Sequence, residues 1–223
     1  MKRLLLILTP FVCMASPFIE PSAPLLNERS EEVSPASICS EEIQSMIEGM
    51  FDTAFGETRD YSKSILVGLA APQIGIKKRI ILVDSAATGV FVQGQTQAPA
   101  PQIDVYINPE IVWRSDEMNV WREGCFSTSR VCGLVPRSSK ICIEAYDREG
   151  RRMTKEFSGY TARIFQHEID HLDGIRFPDR IENDEHLHWV ELKELPSYRI
   201  EWANWQKKCP RNQWLEIKHG RAE

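Results

Sequence analysis

The chain has 223 residues, of which 42% are hydrophobic and 26% are charged. This composition is typical of one folded domain with additions and excludes a largely disordered chain. The formal net charge of −5 argues against wide contacts with nucleic-acid phosphates, which require clustered Lys and Arg side chains. We therefore expect no direct DNA binding.

Residues 1–18 are predicted to form an N-terminal extension. Two basic residues precede an apolar run over residues 4–15, and that run ends in small residues. This is the layout of a secretory signal, and the run is too short to form a stable membrane span. A start assigned too early, or a buried strand with an extension, would give the same pattern.

A helix is predicted over residues 41–55. Ser40 can cap its first turn, two glutamates favour the positive end of its dipole, and Gly56 can close it. Its apolar residues recur at helical spacing, as expected of a face that packs against a core.

Short strands are predicted over residues 79–84, 105–108 and 111–113, the last two on either side of Pro109. Residues 85–104 carry Gly, Gln, Ala and Pro and have the composition of a surface loop.

A β-hairpin is predicted next, because residues 140–146 and 151–157 flank a turn that contains Gly150. A second helix should run from about Tyr160 to Leu172 and be closed by Gly174. Strands followed by a helix that carries polar groups predict an α+β domain.

Residues 183–223 are predicted to form a C-terminal tail that is rich in tryptophan and partly basic. The simplest interpretation is a helical tail that packs its aromatic side chains on the domain. The alternative is a docking surface for a large partner. Four of the six tryptophans lie in this segment: Trp189, Trp202, Trp205 and Trp214.

The strongest chemical signal is Gln166-His167-Glu168-Ile169-Asp170-His171. Residues four apart share one helix face, so His167 and His171 can hold one metal ion, with Glu168 beside them as a general base. The pattern H-E-x-x-H also occurs by chance in proteins without metal. However, two histidines around a glutamate on a half-apolar helix would be costly to bury without a metal or a partner.

A catalytic metal site needs a third protein ligand and one open position. Cys125 is the best candidate, because Gly124 allows a close turn of the backbone and a bound metal keeps a thiol deprotonated. Cys132 and Cys142 are the rivals, although buried cysteines usually act as small hydrophobic residues. Upstream, Gln73 follows Gly68-Leu69-Ala70-Ala71-Pro72, and its amide is a good donor to a developing oxyanion.

Taken together and in this order, three segments resemble the signature motifs of the peptide deformylase family. The family pattern is G-x-G-L-A-A-x-Q, then E-G-C-L-S, then Q-H-E-x-D-H-L-x-G. This chain has L-V-G-L-A-A-P-Q, E-G-C-F-S and Q-H-E-I-D-H-L-D-G. The third match is complete, and the resemblance covers most of the chain, with a catalytic domain over residues 19–182. Leu66 replaces a glycine beside the substrate and Phe126 replaces a leucine.

The resemblance implies a deformylase-like α+β fold in which antiparallel sheets surround a central metal-binding helix. It also implies that Cys125, His167 and His171 bind one divalent metal ion, with Fe(II) expected and Zn(II) the alternative. Glu168 would be the general base, while Gln73 and the backbone N–H of Phe126 would meet the oxyanion.

The implied substrate is a formyl-methionyl polypeptide, from which formate is released. Its backbone would pair with Val67, Gly68 and Leu69 in an extended manner. An apolar pocket lined by Phe126, Ile164 and Ile169 would accept the methionine side chain. An ion pair of Glu123 and Arg137 would support the cysteine loop from behind.

Two other functions remain open at this point. A zincin-type peptidase would share the histidine helix but take its third ligand downstream, from Glu182, Glu185, His186 or His188. A relative that binds formyl peptides without cleaving them is the second alternative, motivated by Leu66 and by the altered stretch after Ser127. The peptidase alternative gives the segments around Cys125 and Gln73 no role.

The implied function predicts the cytoplasm, because formylated chains are made where bacterial-type ribosomes work. Export or an organelle is the alternative if residues 1–15 are a targeting signal. The basic and aromatic tail suggests a contact with the ribosome.

Overall fold

The structure is a computed structural model that describes residues 17–55, 66–89 and 101–220. The predicted signal over residues 1–15, the closing Gly56, and residues 90–100 of the predicted loop lie outside these ranges. Within them, no helix has the length and apolar content needed to cross a membrane.

The first helix has the predicted bounds. Helix α1 spans Glu41–Phe55, and the Ser40 hydroxyl accepts a hydrogen bond from the Ile43 N–H at 3.4 Å. Its apolar face is buried, and Ile47 and Met50 are fully inaccessible to solvent. This face packs against one side of a sheet and forms the first hydrophobic cluster. Helical spacing therefore identified both the element and the side that it buries.

In the described part of the chain, eight strands form two antiparallel sheets. The larger sheet has the order β1-β2-β3-β6-β7, and the smaller one has the order β4-β5-β8. The bounds are Gly68–Ala70 for β1, Ile80–Asp84 for β2, Ile103–Arg114 for β3, Met118–Gly124 for β4, Val131–Ser138 for β5, Lys140–Tyr146 for β6, Arg152–Ser158 for β7 and Leu187–Trp189 for β8.

The prediction of two short strands around Pro109 was wrong, because β3 is one strand with irregular pairing. Its register against β6 shifts between Ile107 and Glu110. Asn108 lies there with a positive φ of 51°, and its side chain makes two hydrogen bonds to the Val33 backbone. The bulge thus accommodates a proline that would interrupt regular pairing. The predicted loop also ends early, since β3 begins at Ile103.

The predicted hairpin is confirmed. Strands β6 and β7 pair along their whole lengths, and Gly150 takes the left-handed conformation in the turn, with φ at 80°. The second helix, α2 (Gly159–Leu172), follows directly and packs against strands of both sheets. Two antiparallel sheets around a central helix confirm the predicted α+β class.

The C-terminal segment is only partly helical. It begins with β8, which pairs with β5, and continues with α3 (Leu195–Glu201) and α4 (Arg211–His219). The fully buried Trp214 joins β5 and β8 in a third cluster, so this segment packs closely on the smaller sheet. The domain division at residue 182 stays a prediction.

Candidate active site

The three predicted metal ligands come together at the centre of the molecule. Helix α2 presents His167 and His171 on one face, and the loop after β4 brings Cys125 opposite them. Their ligand atoms all lie within 4.8 Å of one another, and Cys125 Sγ is 3.3 Å from His171 Nε2. Among the described residues this is the only such group of three. Two distant segments of the sequence therefore meet at one point.

The rival ligands lie elsewhere. Cys132 is buried with Val190 and Tyr198, and Cys142 lies on β6 opposite Glu156. The buried His188, a downstream candidate in the peptidase alternative, shares a hydrogen bond of 3.0 Å with the Tyr198 hydroxyl.

The donor set fits a divalent transition metal. One thiolate and two imidazoles suit Fe(II) or Zn(II) and leave room for a fourth ligand. Burial lowers the pKa of His171 well below its usual value, so the ring is in the neutral form that binds metals. Its buried Nδ1 has no hydrogen-bond partner among the described residues. Burial also lowers the pKa of His167, but hydrogen bonds to Cys125 and Glu123 more than reverse this, and a bound metal would compete with that proton.

A buried ionic network holds His167 from behind. Glu123 accepts hydrogen bonds from His167 Nδ1 at 2.8 Å, from Arg163 at 2.7 Å and twice from Arg137 at 3.0 Å. Burial raises the pKa of Glu123, but Arg137 and His167 outweigh it and hold that pKa far below the usual range. Arg137 also pairs with Asp170 on α2. The network fixes the ring orientation and ties β4, β5 and α2 together.

The amide of Gln73 points at the cluster. A short 3₁₀ turn after β1 carries it, and its Oε1 accepts a hydrogen bond from the Ala70 N–H at 2.8 Å. This bond leaves Nε2 directed at Cys125 Sγ, 3.2 Å away, and at the Ser127 hydroxyl, 3.3 Å away. Gln73 is almost fully buried, so the amide is oriented before any substrate arrives.

Glu168 lies against the backbone of β1. A Cβ added to Gly68 would be 2.5 Å from Glu168 Oε1, so only glycine leaves space for this carboxylate. Burial raises the pKa of Glu168 to about 7. Its buried Oε2 has no hydrogen-bond partner among the described residues. A carboxyl group with a free oxygen and a pKa near neutrality is suited to proton transfer.

The remaining predicted substrate residues lie around β1, in the cysteine loop and on α2, where Ile164 and Ile169 are buried in the core. Strand β1, which includes Gly68 and Leu69, is at one edge of the larger sheet, and no described strand pairs with its other side. The Val67 carbonyl accepts a hydrogen bond from the Asp84 N–H. Phe126 is 48% exposed and stacks on Phe18 with ring centroids 4.6 Å apart. Leu66 packs against the cluster that contains α1.

Sequence reasoning missed three charged residues around the site. Arg163 donates to Glu123 and to two backbone carbonyls, and Asp170 joins Arg137 to Arg180. Arg163 precedes His167 by one helical turn, and that spacing was available as a signal. Arg176 is fully buried and bonds to the cysteine loop, and no pattern in the sequence indicated this.

Comparison of the sequence with known proteins matches it to peptide deformylases. A family model described as polypeptide deformylase matches residues 16–186. A peptide deformylase of Desulforudis audaxviator is 38% identical over 157 residues, which are 70% of this chain and 87% of that protein. Peptide deformylase 1A of Arabidopsis thaliana, chloroplastic/mitochondrial, is 34% identical over 163 residues, 71% of this chain and 58% of that protein.

Solved structures agree with these matches. The structure of class I type b peptide deformylase from Acinetobacter baumannii with Met-Ala-Ser bound superposes with a TM-score of 0.63 at 32% identity. It covers 74% of this chain and 97% of that one. Peptide deformylase from Thermotoga maritima gives a TM-score of 0.60 at 32% identity, with the same coverage.

Proposed function

Because this chain belongs to the polypeptide deformylase family, we propose a role for each residue of its site in that reaction. The chain is a hydrolase that removes the formyl group from the N-terminus of formyl-methionyl polypeptides and releases formate. One observation supports these roles above all. Cys125, His167 and His171 lie close together, next to Gln73 and Glu168.

Cys125, His167 and His171 would hold one divalent metal ion. When bound, such an ion supplies Lewis acidity and lowers the pKa of a water molecule toward neutrality. Fe(II) is our first choice and Zn(II) the second, since a thiolate with two imidazoles suits both. The network of Glu123 and Arg137 keeps the His167 ring oriented with Nδ1 toward the protein, so that Nε2 is the nitrogen available to a metal.

Glu168 acts first as general base and then as general acid. Its free Oε2 takes a proton from the attacking water, whose oxygen forms a bond to the formyl carbon. The carboxyl group then gives this proton to the nitrogen of the methionine as the carbon–nitrogen bond breaks. A pKa of about 7 favours both transfers near neutral pH.

Gln73 and the backbone N–H of Phe126 stabilise the negative charge that develops on the formyl oxygen. The bond from the Ala70 N–H fixes the Gln73 amide, so no reorganisation is needed as the charge grows. The 3₁₀ turn that begins at Phe126 follows Cys125 directly, which keeps the N–H of that turn close to the cluster.

The substrate binds as an added strand. An extended peptide would lie along the outer edge of β1, beside Val67, Gly68 and Leu69, and pair with the backbone groups there that β2 leaves free. Met-Ala-Ser, the peptide bound in the Acinetobacter structure, begins with methionine, as the product of this reaction would. Phe126, Ile164 and Ile169 would line the pocket for the methionine side chain.

Formate release from formyl-Met-Ala-Ser tests the assignment, with an unblocked protein as the comparison substrate. We expect formate from the formyl peptide and no cleavage of the unblocked protein. Glu168→Ala should keep the metal and lose nearly all turnover. Cleavage of the protein would favour a zincin-type peptidase, and tight peptide binding without formate would favour a non-catalytic relative. Full turnover by Glu168→Ala would refute its assignment as the base.

Place and partners are also proposed. Formylated chains arise at bacterial-type ribosomes, so we propose that this chain works in the cytoplasm. The plant relative is chloroplastic/mitochondrial by name, and an organelle is the alternative.

The C-terminal segment, with its exposed Leu192 and Ile200 and its basic residues, would contact the ribosome. Ribosome co-sedimentation that is unchanged when Leu192 and Ile200 are both replaced by serine would rule this contact out.

A further inference from the structure

Arg176 is a fully buried cation that the reaction scheme above does not use. It lies between α2 and a short 3₁₀ turn, outside the ligand cluster, and its side chain is 0% exposed. Among the described residues it forms no ion pair with a carboxylate, although Asp179 is near enough to favour its charge. Burial lowers its pKa to about 10, which still leaves the guanidinium charged at neutral pH. Such a charge is costly to bury, so the bonds that it makes are informative.

The guanidinium joins three separate segments. Nη1 donates to the Pro21 carbonyl at 2.6 Å and to the Ser127 carbonyl at 2.9 Å. Nη2 donates to Asn27 Oδ1 at 2.9 Å and to the Lys218 carbonyl at 3.3 Å. The N-terminal arm, the cysteine loop and the end of α4 therefore meet at one side chain. The planar, multiply donating head of arginine suits such a junction, and the single ammonium of lysine does not.

Trp214 holds the guanidinium in place. Its ring lies 4.8 Å from Arg176 Cζ, and its indole N–H donates to Asp179 at 3.0 Å. Trp214 itself is fully buried. The guanidinium stacks on the Trp214 ring, and the bond from the indole N–H to Asp179 holds that ring in place. Together these two contacts restrict Arg176 to one position. Helix α4, which also lies beside the 3₁₀ turn of the cysteine loop, is thus hydrogen-bonded to that loop through Arg176.

Ser127 passes this restraint to the site. Its carbonyl accepts from Arg176, while its hydroxyl accepts from Gln73 Nε2 at 3.3 Å. The same nitrogen is 3.2 Å from Cys125 Sγ. Two residues, Ser127 and Gln73, therefore link Arg176 to a proposed metal ligand, and Arg176 fixes the backbone that carries this ligand.

We propose that Arg176 is a positioning residue that couples the C-terminal helix and the N-terminal arm to the geometry of the Cys125 loop. The proposal rests on the metal site assigned above. Loss of the guanidinium frees the Ser127 carbonyl, so Cys125 and Gln73 lose their fixed separation. A ligand held less firmly dissociates faster, and residues that support ligands in this way typically contribute 10–100-fold to metal affinity or activity.

Zinc release from the loaded protein to a chromogenic chelator is the test. Arg176→Met should release zinc roughly 10–100-fold faster than the wild type. Arg176→Lys keeps the positive charge but loses the planar set of guanidinium donors. It should also release zinc faster than the wild type, by a smaller factor. The lysine variant carries the test by itself if the methionine variant does not fold.

Two controls separate positioning from a general loss of stability. Arg211 ties the start of α4 to Pro178 and Asp184 without touching the cysteine loop, so Arg211→Met weakens the same helix. Ile47→Ala weakens the core under α1, which contains none of the three ligands or Ser127. Both should lower the unfolding midpoint and leave the zinc release rate near that of the wild type.

The proposal would be overturned if both Arg176 variants released zinc at the wild-type rate. It would also be overturned if the Arg211 and Ile47 controls released zinc as fast as the Arg176 variants. A wild-type chain that retains no zinc would instead overturn the metal site itself. The two failures are therefore distinguishable. Steady-state kinetics give a second readout: kcat should fall more than KM rises, because Gln73 acts on the transition state.

Discussion

Replacing Glu123 with glutamine removes one negative charge from the buried network while keeping the shape of the side chain. The carboxylate now accepts four hydrogen bonds, from Arg137, Arg163 and His167. A glutamine offers one oxygen and presents an NH₂ group to neighbours that are themselves donors. At least one bond becomes a clash of donors, and two arginines lose their shared counter-charge.

The loss of unfolding free energy depends on which other contacts the two arginines keep. Removing one member of a buried ion pair typically costs about 3–5 kcal/mol. Arg137 would keep Asp170, and Arg163 would keep the Val135 and Asn119 carbonyls. We therefore expect the lower end, about 3 kcal/mol of unfolding free energy. Metal affinity should fall by roughly 10–100-fold, because His167 loses the acceptor that orients its ring.

Urea unfolding of the metal-free proteins measures the change in unfolding free energy, and zinc titration measures the change in metal affinity.

The dependence of stability on pH provides an internal check. The pKa of Glu123 is lower in the folded chain than the ordinary value of about 4.3 for an unfolded glutamate. Its contribution is therefore complete above that value and is lost as the pH falls below it. The wild type should lose stability between about pH 5 and pH 3 more steeply than Glu123→Gln. Equal stability, equal zinc affinity and identical acid profiles would refute the proposed role of the network.

Three further substitutions test the groups that face the substrate and the metal. Gln73→Ala should lower turnover by roughly 10²–10³-fold, the scale for one oxyanion donor, and an unchanged rate of formate release would remove Gln73 from the mechanism. Cys125→Ser should weaken metal binding by more than the roughly 10–100-fold expected for a supporting residue, and full occupancy by metal analysis would contradict its role as a ligand. Gly68→Ala should displace the Glu168 carboxylate and reduce kcat by about 10²-fold, whereas Gly49→Ala, whose added Cβ meets nothing within 4 Å, should leave kcat unchanged. Similar kcat values for the two glycine variants would show that the close approach at Gly68 is not needed.

Local signals in the sequence were sufficient for α1, α2, the β6–β7 hairpin and the histidine pair, whereas β4, β5 and β8 were not predicted. The bounds of α1 followed from a capping serine and an apolar stripe, and the hairpin followed from Gly150 in its turn. The i, i+4 spacing of two histidines on a helix brings their rings close together, with centroids 5.0 Å apart. The choice of Cys125 over its rivals rested on the neighbouring Gly124 and on the family motif, because no spacing relates a cysteine 42 residues away to that helix.

Features that depend on long-range packing could not be predicted in this way. The continuity of β3 through Pro109 requires the side chain of Asn108 to reach Val33, 75 residues earlier. The strand β8 is only three residues long and exists because β5 offers it an edge. Arg176 contacts residues up to 155 positions away, and nothing in its local sequence indicates that it is buried. Local propensity carries no information about such contacts.

The central claim is that one cation held by Cys125, His167 and His171 is required for deformylation. Formate release from formyl-Met-Ala-Ser, measured on the same sample as metal content, tests this claim most directly. We expect one bound metal per chain, loss of activity in proportion to metal removed by a chelator, and recovery when Fe(II) or Zn(II) is restored. Full activity in a chain stripped of metal, or a bound metal that survives the joint replacement of His167 and His171 by alanine, would contradict it.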